Sequence, residues 1–279
     1  MVKTNYTLHY APAKWSVSDK SIFFIHGLWN DATIWGEWAR QCADHGYQSW
    51  SINFPTGKTS LSINDYVAIV HDALDRIQSE YGVVPVLCGH SLGGLIAQVV
   101  ASKRAIPAVV LIASVAPFGI RNIGWYWTAH LPRYTPQIFK HLFTRGVNRN
   151  LDECQLYREA LTWVRGKLPP TIRQRWQDDL FDQLDGLQSL RQVDPPRIGR
   201  VLQSIILNTV RVPHIHSRQI LIVAGKNDQV VPLRIQHSLV RKYAPDSTMI
   251  MHQFGHMVMR ETGADHLLRR ILHQLELVA

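Results

Sequence analysis

The stretch Val86-Leu87-Cys88-Gly89-His90-Ser91-Leu92-Gly93-Gly94-Leu95-Ile96 changes character at a single residue. Before it, Val86-Leu87-Cys88 reads as the end of a buried strand. After it, Leu95, Ile96, Val99 and Val100 recur at helical spacing, so a helix begins directly at Leu92. Ser91 sits at the join. Gly89 and Gly93 stand two residues away on either side, where a Cβ would obstruct a strand turning at once into a helix. The expectation is a sharp, strained turn at the end of a sheet strand, with Ser91 at its point.

Outward from this turn, short apolar runs alternate with segments of helical period. Strands are expected over residues 21–25, 47–52, 84–88, 108–113, 219–224 and 248–252. Pro85 cannot donate to a sheet ladder, so its strand begins there or contributes only its last residues. Tyr66, Ile69, Val70, Ala73, Leu74 and Ile77 form one helical stripe, preceded by Ser62 and Asp65 at capping-box spacing. Pro232 opens another helix, with Leu233, Leu239, Val240 and Tyr243 on its apolar face. A last stripe runs from Ala264 through Leu267, Leu268, Ile271, Leu272 and Leu275 to Val278. This alternation predicts an α/β fold, a mostly parallel sheet with helices on both faces.

The alternation stops over residues 117–216. That segment has no good strand, and its expected helices (135–143, 151–165, 171–190 and 196–209) are separated by Pro-Pro and Gly punctuation. The expected organisation is a core of residues 1–116 and 217–279 carrying a helical insertion of residues 117–216.

With 279 residues, 46% hydrophobic and 18% charged, the chain can build a sizeable core and has no signature of disorder. The net charge of +9 lies mostly in the middle segment, where residues 118–216 hold fourteen Lys/Arg against eight Asp/Glu. Those cations are spaced among apolar and polar neighbours instead of clustered. They read as a solvated helix surface, with attraction of anionic substrates or lipid as the alternative, and not as a nucleic-acid interface. Cys42, Cys88 and Cys154 share no CxxC spacing and read as reduced thiols. The first residues lack a signal-peptide pattern and no apolar run is long enough for a stable membrane insertion, so a cytoplasmic location is the default expectation.

A serine hydroxyl is a poor nucleophile at neutral pH and needs an adjacent base, an orienting acid and donors for the oxyanion. Asp228 follows an apolar strand and a Gly turn, which places its carboxylate at the carboxyl edge of the sheet, where open α/β folds bind ligands. His256 follows the last strand by a short loop and lands on the same edge. The other histidines have blander readings. His26 orients a turn, His90 points away from the site, and His214, His216 and His252 have no partner motif. No HExxH or comparable metal spacing occurs, so neither metal nor cofactor is expected. Gly57-Lys58-Thr59 imitates the end of a phosphate-binding loop, but position 52 is Ile where that loop needs Gly.

Gly-His-Ser-Leu-Gly-Gly at 89–94 resembles the nucleophile turn of lipases and carboxylesterases in the α/β-hydrolase superfamily, and the resemblance covers nearly all of the chain outside the insertion. Phe23-Phe24-Ile25-His26-Gly27-Leu28-Trp29 is similar to its oxyanion strand and turn. Residues 221–228, Leu-Ile-Val-Ala-Gly-Lys-Asn-Asp, resemble the segment carrying its acid, and Phe254-Gly255-His256-Met257 the loop carrying its histidine. The chain order Ser, Asp, His is the family's. Residues 53–60 depart from its Asp-x-x-Gly-x-Gly pattern.

The resemblance implies a serine hydrolase that cleaves a carboxylic ester through an acyl-enzyme on Ser91. His256 would be the general base, Asp228 would orient it, and the N–H groups of Leu28 and Leu92 would form the oxyanion hole. Thioesterase, lactonase, amidase or acyltransferase chemistry would use the same residues, whereas family members with a carboxylate nucleophile are excluded by Ser91. The insertion occupies the place of the family's cap, or lid. Trp29, Trp125, Trp127 and Trp163, with Leu131 and Phe139, have two readings there: walls of a pocket for an apolar acyl substrate, or packing.

Overall fold

Strand residues are apolar at consecutive positions, not alternate ones, because both faces of the sheet are covered. The computed structural model describes residues 5–15, 19–28, 30–55, 61–120, 199–228 and 230–276. Among these residues seven strands form one sheet: β1 (Thr7–Ala11), β2 (Ser21–Ile25), β3 (Gln48–Asn53), β4 (Val86–His90), β5 (Ile106–Ile112), β6 (Ser217–Gly225) and β7 (Ser247–His252). Their spatial order is β1-β3-β2-β4-β5-β6-β7, and only the β1–β3 pairing is antiparallel. The expected fold class, a mostly parallel sheet with helices on both faces, is the one observed.

Successive side chains divide between two cores. Phe23, Ile25, Leu87, Val109, Leu111, Ile220 and Ile222 face one side, and there they meet α2 (Ile63–Tyr81), α3 (Leu92–Ala101), α4 (Gly199–Ile206) and α5 (Leu233–Tyr243). Ile22, Phe24, Val110, Ile112, Leu221 and Val223 face the other, against α1 (Gly36–Asp44) and α6 (Ala264–Glu276). A one-residue slip in any central strand would exchange the two sets, so the register is firmly specified.

The expected boundaries shift for local reasons. Pro85 stands just before β4, which then runs on through Gly89 and His90 because these pair with Leu111 and Ile112 of β5. β5 stops at Ile112: Ala113 N makes the last bond to β6, to Val223 O at 2.9 Å, and a positive φ of 44° at Ala113 then turns the chain out of the strand. β3 extends to Asn53 through its pairing with Thr7. β1 itself escapes the sequence pattern because it is a mostly exposed edge strand with no apolar run. α1 also goes unpredicted, although Trp35, Trp38 and Cys42 at helical spacing mark its buried side. The capping box is formed: Ser62 Oγ accepts from Asp65 N, and Asp65 Oδ2 accepts from Ser62 N at 2.7 Å.

Of the segment expected as an insertion, residues 121–198 lie outside the described residues, including the expected helices at 135–143, 151–165 and 171–190. Its described end, α4, packs on the core through the buried Val201 and Ile205. Phe118 N donates to Val210 O at 2.7 Å and Asn208 Nδ2 to Ile120 O at 3.1 Å, so the two ends of the segment run side by side. Val278, the last residue of the expected C-terminal stripe, also lies outside the described residues. Among the described residues no helix is long and apolar enough to cross a membrane.

Candidate active site

β3 lies on one side of β2 and β4 on the other, so the winding of the sheet reverses between β2 and β4. A crevice opens at the carboxyl ends of strands at such a point, and ligands bind there in open α/β sheets. Ile25 is paired with Gly89, which sets the turns that follow the two strands beside each other. These turns are His26-Gly27-Leu28 and His90-Ser91-Leu92. Their approach is close: a Cβ on Gly27 would lie 3.0 Å from Ser91 Cβ and 2.9 Å from His90 Nδ1.

Ser91 occupies the point of the second turn with φ 53° and ψ −115°, a conformation that costs a non-glycine residue about 1–3 kcal/mol. Its surroundings over-determine it. Ser91 N donates to Ile112 O at 2.9 Å, and Ser91 O accepts from Gly94 N, Leu95 N and Val115 N at 3.1, 3.3 and 3.1 Å. A Cβ on Gly89 would collide with the carbonyl of Gly93, and one on Gly93 with the carbonyl of Ile25, which is the physical need for both glycines. Val115 is fixed in turn by the buried Gln98, whose amide nitrogen lies 3.2, 2.9 and 3.0 Å from Gly94 O, Ser114 Oγ and Val115 O. Tyr243 donates to Gln98 Oε1 at 2.7 Å, and Gln236 donates to Ser114 O at 3.0 Å. A buried polar network therefore ties α3, the turn after β5 and α5 to the backbone of Ser91.

Asp228 and His256 come together from the loops after β6 and β7. Lys226 N donates to His252 O at 2.8 Å and Asn227 N to Phe254 O at 3.0 Å, which zips the loops together. His256 Nδ1 lies 2.9 Å from Asp228 Oδ2, so an Nδ1–H donates a hydrogen bond to the carboxylate. Asp228 Oδ1 accepts from Val230 N and Val231 N, each at 2.8 Å. Asp228 is 3% and His256 9% exposed, as suits a pair whose interaction must resist water. Glu261 Oε1 accepts from Gly255 N at 2.7 Å and braces the histidine loop, a contact that no sequence spacing signals.

His90 does more than point away. It is fully buried, its Nε2 lies 2.9 Å from the carbonyl oxygen of His256, and the two rings are 4.7 Å apart. The acceptor is a carbonyl, so Nε2 carries the hydrogen. Burial, and next the adjacent His256, hold the His90 pKa well below 6.5, so the ring is neutral. Through this bond His256 is carried by the turn that carries Ser91.

Leu28 and Leu92 also fall at this edge. Leu92 N begins α3, where helical N–H groups lack intrahelical acceptors, and neither Leu28 N nor Leu92 N has a hydrogen-bond partner among the described residues. Trp29, Trp125, Trp127 and Trp163 lie outside the described residues, as do Leu131 and Phe139. The nearby Cys88 is no rival nucleophile, because burial raises its thiol pKa well above 9. Burial likewise pushes Cys42 up to about 12. Among the described residues no group of three or more His, Cys, Asp or Glu side chains is placed to hold a metal ion.

Comparison with solved structures finds the same fold in proteins of low sequence identity. An esterase from Exiguobacterium antarcticum superposes with a TM-score of 0.66 at 15% identity, covering 98% of this chain and 96% of that one. A monoacylglycerol lipase from Paleococcus ferrophilus gives 0.62 at 18%, covering 100% of both chains. The enol-lactonase from Burkholderia xenovorans LB400 gives 0.71 at 15%, covering 99% and 98%. Comparison with curated protein sequences gives no match. A family model described as the alpha/beta hydrolase family matches residues 22–271, and by that match, over a sheet and turn of the form described above, the chain belongs to the alpha/beta hydrolase family.

Proposed function

We propose that the protein is a serine hydrolase that cleaves a carboxylic ester of a small, apolar acyl substrate. The observation that carries this reading is a strained serine whose neighbouring residue is hydrogen-bonded to the backbone of a buried, carboxylate-oriented histidine. Ser91 Oγ attacks the carbonyl carbon while His256 Nε2 takes the hydroxyl proton. Asp228 holds the Nδ1–H tautomer and stabilises the imidazolium that forms. The oxyanion receives the N–H groups of Leu28 and Leu92, two donors fixed before the reaction begins. When the tetrahedral adduct collapses, the acyl–oxygen bond breaks and the leaving alcohol takes the proton from His256. Water then attacks the acyl-enzyme by the same route and releases the acid. Residues 117–216 act in this reading as an inserted cap that selects the substrate.

The same residues would serve a thioesterase, lactonase, amidase or acyltransferase. What favours an acyl–oxygen bond is that structures sharing the fold are named as an esterase, a monoacylglycerol lipase and an enol-lactonase. Two experiments test the proposal. A fluorophosphonate probe is expected to label Ser91 and to leave Ser91→Ala unlabelled; full labelling of that variant would reject the nucleophile. A graded panel of p-nitrophenyl esters, matched thioesters and anilides is expected to show turnover of the esters first, and preference for another class would replace the ester reading.

A further inference from the structure

His90 has the burial of a core residue and the chemistry of something else. A ring that only filled space would be better apolar, because imidazole brings two polar nitrogens into a fully buried position. Here Nδ1 has no hydrogen-bond partner among the described residues, and the whole polar capacity of the ring is spent on one bond, Nε2–H to the carbonyl of His256. The opposite side of the ring faces the other turn, where a Cβ on Gly27 would come within 2.9 Å of Nδ1. The ring therefore stands between the loop that presents His256 and the turn that presents Leu28 N, and its own backbone continues into Ser91.

We propose that His90 is a positioning residue that sets the separation of the base loop and the oxyanion turn about the nucleophile. This rests on the assignment of Ser91, His256 and Leu28 made above. Its bond to His256 is to the main chain, so it leaves the imidazole free to exchange protons while fixing where that imidazole is attached. From the end of β4 it spans two loops far apart in sequence that are otherwise fixed by different strands, β2 and β7. Its removal would leave both loops folded but free to drift by a fraction of an ångström, and a drift of that order is felt in the chemical step more than in binding.

Three substitutions separate this role from packing. His90→Phe keeps a planar ring and loses the donor. His90→Asn keeps an amide too short to reach the carbonyl, and His90→Gln places an amide donor at about the reach of Nε2. Each is checked for folding by circular dichroism and melting, then assayed for kcat and KM on p-nitrophenyl acetate and for the rate of fluorophosphonate labelling, beside wild type and Ser91→Ala. The Phe and Asn variants are expected to lose about 10–100-fold in kcat and labelling rate with KM little changed, and Gln to recover most of the loss. A folded Phe or Asn variant with wild-type kcat overturns the proposal, as does a Gln variant no better than Phe. If Ser91→Ala still labels, the nucleophile assignment falls and takes this proposal with it. If Ser91→Ala is silent and His90→Phe is as fast as wild type, only the role of His90 falls.

Discussion

Asp228 offers His256 only one of its two oxygens: Oδ2 lies 2.9 Å from His256 Nδ1, while Oδ1 is occupied by the N–H groups of Val230 and Val231. The carboxylate cannot rotate without giving up two backbone bonds, so the imidazole is held by an acceptor whose orientation is decided elsewhere.

Asp228→Asn is therefore a sharper test than removal of the side chain. The two backbone donors will keep the amide oxygen, which turns the amide NH2 toward His256 and forces its Nδ1 to accept. The proton then moves to Nε2, where the base must be empty to receive the serine proton. kcat on p-nitrophenyl acetate is expected to fall about 10³–10⁴-fold with the fold intact by circular dichroism. A loss of less than about tenfold would argue that Asp228 does not set the tautomer.

Tyr243→Phe probes the network behind Ser91. It removes one donor from the buried Gln98 Oε1 and leaves that acceptor unpaired, which is expected to lower the unfolding free energy by about 1–3 kcal/mol in urea titrations. Gln98 keeps its contacts with Gly94, Ser114 and Val115, so kcat measured well below the melting temperature should hardly change. Gln98→Leu breaks those contacts and should lose both stability and kcat. Equal stability of wild type and Tyr243→Phe would show that the network does not support the fold.

The buried histidines make stability depend on pH. Burial lowers the pKa of both His26 and His90 from 6.5, with His256 adding to the shift at His90. As the pH falls through 6.5 the unfolded chain takes up protons that the folded chain refuses, so the unfolding free energy must decrease with acidification in that window. Glu37 is held low, at about 2, by hydrogen bonds from Arg40 and Gln41, so the stability it contributes is lost only at more acid pH. Urea midpoints should drop between about pH 7.5 and 5.5, and the slope should be shallower in His90→Phe. A flat or rising profile would contradict the neutral, buried state of these rings.

The strand-turn-helix at Ser91 was legible because Gly89 and Gly93 are required by sterics, and a position that admits no Cβ shows itself in the sequence as glycine. Asp228 and His256 were legible because an apolar strand delivers each to the carboxyl edge. β1 was not, because an edge strand buries little and so carries no apolar run. His90, Gln98 and Glu261 escaped for a different reason. Each acts through hydrogen bonds that no linear spacing marks, His90 to His256 O, Gln98 to Ser114, Val115 and Tyr243, and Glu261 to Gly255 N, and any donor or acceptor of similar length leaves the same mark in a linear sequence. That residues 118–120 and 208–210 are bonded to each other could not be read from either stretch alone.

Those bonds bear on how this molecule can be altered. Phe118 N bonded to Val210 O, and Asn208 Nδ2 to Ile120 O, hold residues 118–120 beside residues 208–210. The chain thus leaves at residue 120 and returns by residue 208 beside its point of departure, the two ends joined by a two-bond seam. Because the two ends of that stretch are already held beside each other, its closure cost depends only weakly on its length, and changes in its length are expected to be tolerated more readily than changes at residues 118–120 or 208–210.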